Sequence, residues 1–463
     1  MTRLLEIIVA LILVFVLAVV VGVLLPSHGH VERSIEISHN LRHTFDSLNS
    51  FRRFPDYSAV RALDPNAQFS LSGPDEGTGS EVSWQESGKS GKGDLTITSS
   101  EEDRQVIWSL NNGWRGTNKK YTIDLVPSEN HKLVKINMSY DVDYGWDLMS
   151  RYSQLYLHGD PATFMQYTLN SLQSMLANIP NIGYKDLDPV LVDTEQKPVL
   201  IVSTQAPRNL DDIAVATSKA LDQIHAAMKK AGVEQAGHYV TLTTDWGAEN
   251  YSFDIAVPID STKLKFGSKV VDLRDAPKPK SLAEQNLAAN AEAEKAAAAG
   301  STAGAASTAG AGSGADAQGS DSADGPGTFG DDGALAVTED VNAEMAFGGR
   351  ALMATWNGSP AGLSLMRLAL KAYAGTHGYD FNEYSDRLYD IDVSAEDNNT
   401  EDDRDYRVYL PVSNAPEKTP WQMKNPEKAE QVISGSSVAA PASASSVEPG
   451  DASSVTQPSI KSR

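Results

Sequence analysis

The chain has 463 residues, with 39 Lys or Arg and 61 Asp or Glu, so its formal net charge is −22. At roughly 100 to 200 residues per domain, this length predicts two or three folded units. The negative charge argues against nucleic acid as a partner, and the absence of cysteine excludes disulfides, thiolate metal sites and cysteine nucleophiles.

An apolar segment lies near the N-terminus. Ile7 to Leu25 carries no charged residue and, at about 1.5 Å of rise per residue, would extend about 28 Å as a helix, close to the thickness of a bilayer core. A cleavable signal peptide ordinarily has a shorter apolar region followed by small residues, whereas Leu24-Leu25-Pro26-Ser27-His28 stands here. We therefore predict a single-pass transmembrane anchor over residues 1–30, with a cleaved signal as the main alternative. Arg3 precedes the span, which favours a cytoplasmic N-terminus and a periplasmic or extracytoplasmic bulk.

Residues 31–182 form the first folded region of the prediction. Val31 to Ile37 alternates apolar and polar residues as a half-buried strand does, and a short helical pattern follows. Several β-rich runs come next, separated by turn signals such as Asn112-Gly113. The region closes with apolar residues at helical spacing from Thr163 to Ile179, and Pro180 ends that pattern. This order predicts a sheet packed against a long helix.

The second folded region repeats one order of elements, namely strand, helix, strand, strand. In the first module, residues 190–273, a strand at Val199 to Thr204 precedes a long helical pattern that ends near Gly232. In the second module, residues 334–412, a strand at Arg350 to Trp356 precedes a helical pattern from Leu363. The repetition predicts two similar units.

Two segments have a composition that cannot form a core. Residues 274–333 lie between the two modules and are rich in Ala, Gly and Ser, and residues 413–463 are rich in Ser, Ala and Pro. Large apolar side chains are scarce in both, so we predict that both are disordered. Trp421 is the one tail residue expected to be able to dock on a folded domain.

Several short motifs succeed one another in the first region: Gly73-Pro74, Gly77-x-Gly79, Val82-Ser83-Trp84, a turn from Gly88 to Gly93, and Leu169-x-x-Leu172. In order and spacing they resemble the START-like superfamily of polyketide cyclases and lipid-binding proteins, often labelled SRPBCC. The resemblance implies a helix-grip fold, in which a sheet wraps around a long C-terminal helix and encloses an apolar cavity.

Other marks lie in the second region: Ala231-Gly232-Val233 after the first helix, Val257-Pro258 and Leu410-Pro411-Val412 closing the modules, and Trp356-Asn357-Gly358-Ser359 before the second helix. They resemble the GyrI-like, or AraC-type effector-binding, domain, whose two modules form a groove for small molecules. The combined fold class is α+β: a helix-grip domain and a duplicated strand-helix-strand-strand domain, after one transmembrane helix.

The two resemblances imply ligand-binding residues. In the first domain, a cavity lining would come from large inward-facing side chains, namely Trp84, Trp108, Tyr140 and Met165, although any one such residue more often simply fills a core. In the second domain, the groove candidates are Trp356 and Glu383, because related domains place an acidic residue near the groove.

No pattern of catalytic or metal-binding residues emerges. The chain lacks the hydrolase elbow, the zinc-protease motif and the dinucleotide fingerprint, so we predict no cofactor and no catalytic set. His39 and His43 have a spacing that can chelate a metal, but without a third ligand we expect no metal site and two surface or capping histidines.

The sequence therefore favours a membrane-anchored binding protein, a sensor or carrier for a lipid or another small apolar molecule. One alternative is a polyketide cyclase-like or hydrolase enzyme, which would need an acid such as Glu383, or one near Asp141, buried beside a partner. Another alternative is a structural or interaction protein of the cell envelope with filled cavities.

Overall fold

The structure is a computed structural model that describes residues 2–87, 91–128, 133–153, 159–185, 187–247, 249–273, 326–330, 333–346, 348–381, 387–394 and 404–434. These residues form a mixed α+β structure with two large antiparallel sheets. The α+β class predicted from the sequence is confirmed.

The chain begins with helix α1, Thr2–Leu24. Among the described residues it is the one helix long and apolar enough to cross a membrane. Only three residues separate it from the first strand, so the first sheet starts directly at the end of α1.

The first sheet has seven strands in the order β1-β7-β6-β5-β4-β3-β2, and all neighbours are antiparallel. Its strands alternate inward and outward side chains, as in β7, where every second residue from Val134 is buried. The strands are β1 (His28–Ile37), β2 (Gln68–Ser72), β3 (Glu81–Gln85), β4 (Lys92–Glu101), β5 (Gln105–Asn112), β6 (Thr117–Pro127) and β7 (Val134–Asp143).

Helices cover the inner face of this sheet. The longest, α6 (Asp160–Ala177), has a proline in its first turn and packs against β1 and two short helices, so that helix and sheet share one core. This is the sheet-and-helix arrangement that the START-like resemblance implies. The other helices are α2 (Leu41–Leu48), α3 (Phe54–Tyr57), α4 (Ala59–Leu63) and α5 (Leu148–Tyr152).

The second sheet has nine strands in the order β14-β15-β9-β11-β10-β17-β18-β16-β8. Each pair of neighbours is antiparallel. The strands are β8 (Val190–Thr194), β9 (Pro198–Pro207), β10 (Val240–Trp246), β11 (Asn250–Pro258), β14 (Leu335–Ala336), β15 (Asn342–Met345), β16 (Gly349–Gly358), β17 (Tyr389–Asp392) and β18 (Arg404–Pro411); β12 (Lys263–Phe266) and β13 (Lys269–Asp272) form a separate hairpin.

Two helices follow β9 and β16. Helix α7 (Leu210–Ala231) packs chiefly against β9 and β11, and α8 (Leu363–His377) packs against β16 and β18. Each helix ends at a glycine with φ of 70°, Gly232 or Gly378, because the left-handed conformation that stops a helix is costly for other residues. Strands β10 and β17 pair in the middle of the sheet, where the two strand-helix-strand-strand units meet.

The two sheets are joined through a buried polar contact between α2 and α8. The Tyr184 hydroxyl donates to Asp46 Oδ2 at 2.8 Å and lies 2.8 Å from Thr376 Oγ1, while its ring stacks on His43 with centroids 4.6 Å apart. One hydrophobic core runs through both regions, so the boundary drawn between residues 182 and 190 stays a prediction.

The expectation that His39 and His43 are surface or capping residues is wrong. Both are buried, and His43 Nδ1 lies 3.2 Å from His39 Nε2. Burial lowers the pKa of His39 to about 4; burial, and then the neighbouring His39, lower that of His43 to about 3. Helix α8, far away in sequence, covers the face of α2 that carries His43, and the helical pattern of α2 alone could not reveal that.

The tail also departs from the prediction. Residues 420–434 form two helices, α9 (Pro420–Lys424) and α10 (Pro426–Ser434), and Trp421 packs against the second sheet. Thr419 and Gln422 make a reciprocal capping box, a local signal that the average composition of the tail concealed. At the other predicted disordered segment, Phe329 bridges to Leu335, so residues 326–330 belong to the folded sheet region.

Candidate functional site

A row of aromatic side chains crosses the inner face of the first sheet. Trp108 on β5, Tyr121 on β6 and Tyr140 on β7 are direct cross-strand neighbours, and all three are buried. The Tyr121 ring lies 5.2 Å from that of Tyr140 and stacks on Phe164 of α6 at 5.4 Å. The row therefore lies between the sheet and the long helix, where the START-like resemblance implies a cavity.

The remaining predicted residues of the first domain lie in the same core. Trp108 donates through Nε1 to the carbonyl oxygen of Leu48 at 3.2 Å, which fixes its ring. Phe54 bridges the space to Trp84, with ring centroids 6.0 Å from Trp108 and 6.5 Å from Trp84. Met165 of α6 is fully buried in this core as well. The structure thus brings all four predicted cavity residues of this domain into one cluster.

The hydroxyl of Tyr121 is one of the unpaired polar groups in the described part of this region, together with Ser47 Oγ and His43 Nε2. It is buried and has no hydrogen-bond partner among the described residues, and burial raises its pKa well above the ordinary value. Tyr57 in the same core is equally buried, but its hydroxyl donates to the carbonyl oxygen of Ser47 at 3.0 Å. A buried polar group without a hydrogen-bond partner lowers the stability of the folded state by about 1–3 kcal/mol. A hydrogen-bond partner at the Tyr121 hydroxyl would remove this cost.

The side chains of the aromatic row are buried and pack against one another and against α6. Two hollows open at the surface of this domain, one beside Asp56 and Asn170 and one beside Arg52 and Ser72, and neither is lined by the aromatic row. A ligand that reaches Tyr121 must therefore displace rings or methionine side chains. Methionine moves easily because its chain is unbranched, and Met165 lies in the helix that covers the row.

A second polar cluster lies over the middle strands of the second sheet. Arg367 of α8 donates through Nε to Asp390 Oδ1 at 3.0 Å, and both side chains are buried. The guanidinium lies 5.5 Å from the ring of Tyr251, whose hydroxyl is 3.1 Å from Thr243 Oγ1. We call Arg367, Asp390, Tyr251 and Thr243 the junction cluster, because it sits where β10 and β17 join the two units.

The electrostatics of the junction cluster follow from burial. Burial raises the pKa of Asp390, and the charge of Arg367 and its hydrogen bond act in the opposite direction. Tyr251 also has a raised pKa through burial, so its hydroxyl stays protonated and available as a donor or acceptor. Further along the strands, Arg404 donates to Asp392 at 2.8 Å, which places a second ion pair near the first.

The residues predicted to line a groove in the second domain do not belong to the junction cluster as the structure describes it. Trp356 lies on β16, two strands away from β17, and its Nε1 donates to the carbonyl oxygen of Ser359 at 2.9 Å, with the ring against Gly362. It therefore closes the end of its own strand and does not join the junction cluster. Glu383 lies outside the described residues.

Sequence reasoning missed Tyr121 and the Arg367–Asp390 pair. Alternation in β6 could have placed Tyr121 on the inner face, but an unpaired hydroxyl is visible only in three dimensions. Arg367 interrupts the apolar face of α8, and a charged residue at such a position is a signal for a buried partner.

Two acids of the first domain considered for catalysis, Asp141 and Asp143, lie on β7 beside the edge strand β1. Asp141 pairs with His30 at 2.7 Å and Asp143 with His28 at 2.5 Å, and all four side chains are partly or largely exposed. Hydrogen bonds from Asn118 and His28 lower the pKa of Asp143. These exposed carboxylates are solvated, whereas a general acid is usually buried beside a partner. Within the described ranges, no group of three His, Asp or Glu residues is arranged to hold a metal ion.

Comparison with known proteins gives matches to solved structures alone. No family model matches the chain, and no curated protein matches it. Similar solved structures include a START superfamily protein from Mycobacterium smegmatis, with 12% identity over 32% of this chain and 97% of that chain and a TM-score of 0.25. XoxI from Bacillus cereus has 15% identity over 32% and 96%, with a TM-score of 0.26. Ara h 8.0201 has 15% identity over 31% and 98%, with a TM-score of 0.24. The strand order and the helix packing described above support the fold of the first domain.

Proposed function

We propose that this chain is a membrane-anchored binding protein, a sensor or carrier, whose first domain holds a small, largely apolar molecule between its sheet and α6. The unpaired, buried hydroxyl of Tyr121 carries this proposal. A ligand with an apolar body and one hydrogen-bond acceptor would satisfy that hydroxyl and pack against the surrounding rings.

The aromatic row favours such a ligand for a physical reason. Trp108, Tyr140 and Phe164 offer flat apolar faces around Tyr121, and contacts to such faces contribute binding free energy through buried area. Because the rings pack together without the ligand, binding includes opening of the cluster. We infer that affinity is moderate and that the ligand, once bound, leaves slowly.

Helix α1 supplies the second part of the proposal. We infer that Ile7 to Leu24 crosses the cell membrane and holds the first sheet at the membrane surface, with the bulk of the chain on the extracytoplasmic side. Two features support it: an uncharged apolar surface that is largely exposed from Ile7 to Val21, and Arg3 before the span. A lipid or another membrane-soluble molecule is then the ligand within closest reach.

The junction cluster supports a second binding function. We propose that the second domain is GyrI-like and that a polar or charged small molecule binds near Arg367 and Asp390. A buried ion pair is seldom the most stable way to fill a core, so its presence on the strands that join the two units favours a functional role.

The test is native mass spectrometry of the full chain, released from detergent micelles, with extraction and identification of any bound molecule. Three chains are compared: the unchanged protein, Tyr121→Phe for the first site, and Tyr251→Phe for the junction cluster. A molecule at defined stoichiometry that is retained by Tyr251→Phe and lost from Tyr121→Phe supports the first site.

The reverse pattern would move the function to the junction cluster. A chain that carries nothing and ignores a panel of apolar and polar ligands would overturn both binding proposals. That result would favour the third hypothesis, an interaction protein of the cell envelope whose interior is filled by its own side chains.

A further inference from the structure

The residues from Tyr144 to Tyr152, here called the interfacial segment, pack against the last turns of α1. The contact centres on Gly22, where an added Cβ would meet the Tyr152 ring at 3.2 Å and the Leu148 Cβ at 3.4 Å. The Tyr152 hydroxyl donates to the carbonyl oxygen of Ala18. The absence of a side chain at Gly22 thus allows α5 to lie directly on the apolar helix.

Arg151 ties the interfacial segment to the end of α1. Its guanidinium donates to the carbonyl oxygens of Val23 at 3.0 Å and Leu25 at 3.2 Å, and also to that of Gly145 at 2.7 Å. The last carbonyls of a helix have no partner within the helix and carry its negative dipole end, so a buried cation there is doubly favourable. These hydrogen bonds join the end of α1 to the first domain.

The outer side of the interfacial segment exposes two large apolar side chains, on either side of Asp147, which caps α5. Trp146 is 84% exposed and Met149 is 65% exposed, although both are large apolar residues. The Trp146 ring lies over the Arg151 guanidinium, 5.2 Å from its centre, so the exposed ring is held in place by the same arginine that binds α1.

The position along α1 at which Tyr152 makes its contact indicates how deep the interfacial segment lies in the membrane. Ala18 lies six residues before the end of α1 at Leu24, which corresponds to about 9 Å along a helix axis. If α1 spans the bilayer, Tyr152 therefore lies in the outer part of the leaflet that surrounds the C-terminal end of α1. The neighbouring Trp146 and Met149 then lie beside lipid. Tyr and Trp are the residues that favour this boundary between headgroups and hydrocarbon.

We propose that the interfacial segment is a second membrane contact. It inserts Trp146 and Met149 into the boundary between headgroups and hydrocarbon of the phospholipid leaflet that surrounds the C-terminal end of α1. The proposal rests on the proposed membrane anchoring by α1. It fixes the tilt of the first domain, because β1 starts three residues after α1 and the interfacial segment follows its partner strand β7. The domain then lies against the bilayer with this edge of its sheet.

The experiment uses the full chain, which has no cysteine, so that each introduced cysteine takes a single fluorescent label. Three positions of similar exposure are compared: Met149→Cys, Leu13→Cys within α1 at 65% exposure, and Val215→Cys on α7 at 69% exposure. Each labelled protein is reconstituted in phosphatidylcholine vesicles, with and without brominated phosphatidylcholine as a quencher at defined depth. Trp146→Cys provides a second label position in the same segment.

We expect the label at Leu13 to be quenched by deep bromines, the labels at positions 149 and 146 to be quenched by shallow bromines, and the label at Val215 to be unaffected. Quenching at Leu13 together with water-like emission at positions 149 and 146, equal to that at Val215, would overturn the second contact while leaving the anchor intact. An unquenched label at Leu13 would instead refute the anchor itself, so the two failures are distinguishable.

Discussion

Replacing Tyr121 by phenylalanine is expected to stabilise the unliganded protein. In the unfolded chain the phenol hydroxyl is hydrated, whereas in the folded chain it is buried without a partner among the described residues. Tyr121→Phe removes that desolvation cost, which is about 1–3 kcal/mol, and leaves the ring contacts with Tyr140 and Phe164 in place. We therefore expect the free energy of unfolding to rise by at least about 1 kcal/mol.

Tyr57→Phe is the matched control. Its hydroxyl is equally buried but donates to Ser47, so its loss removes a hydrogen bond and should lower the free energy of unfolding by about 1 kcal/mol. The same chemical change in the same core thus gives opposite signs, and the two variants should differ by about 2 kcal/mol or more.

The assay is urea unfolding of the full chain in detergent micelles, followed by tryptophan fluorescence. Trp108 is the direct cross-strand neighbour of Tyr121 and reports on this core. A shift of the midpoint at constant slope measures the change in stability. If Tyr121→Phe destabilises the protein as much as Tyr57→Phe does, the hydroxyl has a partner in the folded state, and the reasoning that makes it a ligand contact fails.

Three further predictions follow from the buried polar groups and the chain connections. The folded state keeps His39 and His43 neutral, whereas the unfolded chain protonates them near pH 6.5. The free energy of unfolding should therefore fall as the pH drops from about 6.5 towards 4. The expected decrease is up to about 1.4 kcal/mol per pH unit for each histidine. Denaturation curves of the double variant His39→Gln, His43→Gln should lack this slope, and an equal slope would assign the effect to other groups. Gln422→Ala should leave the backbone N–H and carbonyl of Leu191 on β8 without their side-chain partner, which should lower the free energy of unfolding by about 2 kcal/mol. Hydrogen exchange in α9 and α10 should become faster. Unchanged exchange would contradict the packing of these two helices on the second sheet. Deleting residues 281–324 should leave the unfolding midpoint unchanged. Deleting residues 281–330 should lower the midpoint, because this deletion also removes the β-bridge between Phe329 and Leu335. Equal midpoints for the two deletions would argue against that bridge.

Local patterns in the sequence predict the individual elements well. The alternation from Val31 to Ile37 lies within β1, and the helical spacing from Leu363 lies within α8. In the structure, β9, α7, β10 and β11 follow one another on one side of the β10 and β17 junction, and β16, α8, β17 and β18 on the other. These features succeed because burial on one face imposes a period of two on strands and 3.6 on helices, whatever lies opposite.

Features that depend on distant partners could not be predicted. The pattern around His43 is that of an ordinary surface helix, because Tyr184 and α8 are contributed by remote parts of the chain. Residues Thr419 to Gln422 carry a capping signal, but composition averaged over the whole tail outweighed it. The four residues predicted to line a cavity share one core, but the unpaired hydroxyl of Tyr121 beside them is visible only in three dimensions.

Helix α8 makes the two regions one structural unit. In its N-terminal half, Arg367 pairs with Asp390 in the junction cluster, and about two and a half turns later Thr376 contacts Tyr184 of the connection between the regions. A ligand that competes for Asp390 would therefore act on a helix whose other end is fixed to α2, and α2 carries the Leu48 carbonyl that holds Trp108. The proposed sites are thus linked by one chain of direct contacts through a shared core, and binding at either site should change the affinity of the other by the same factor.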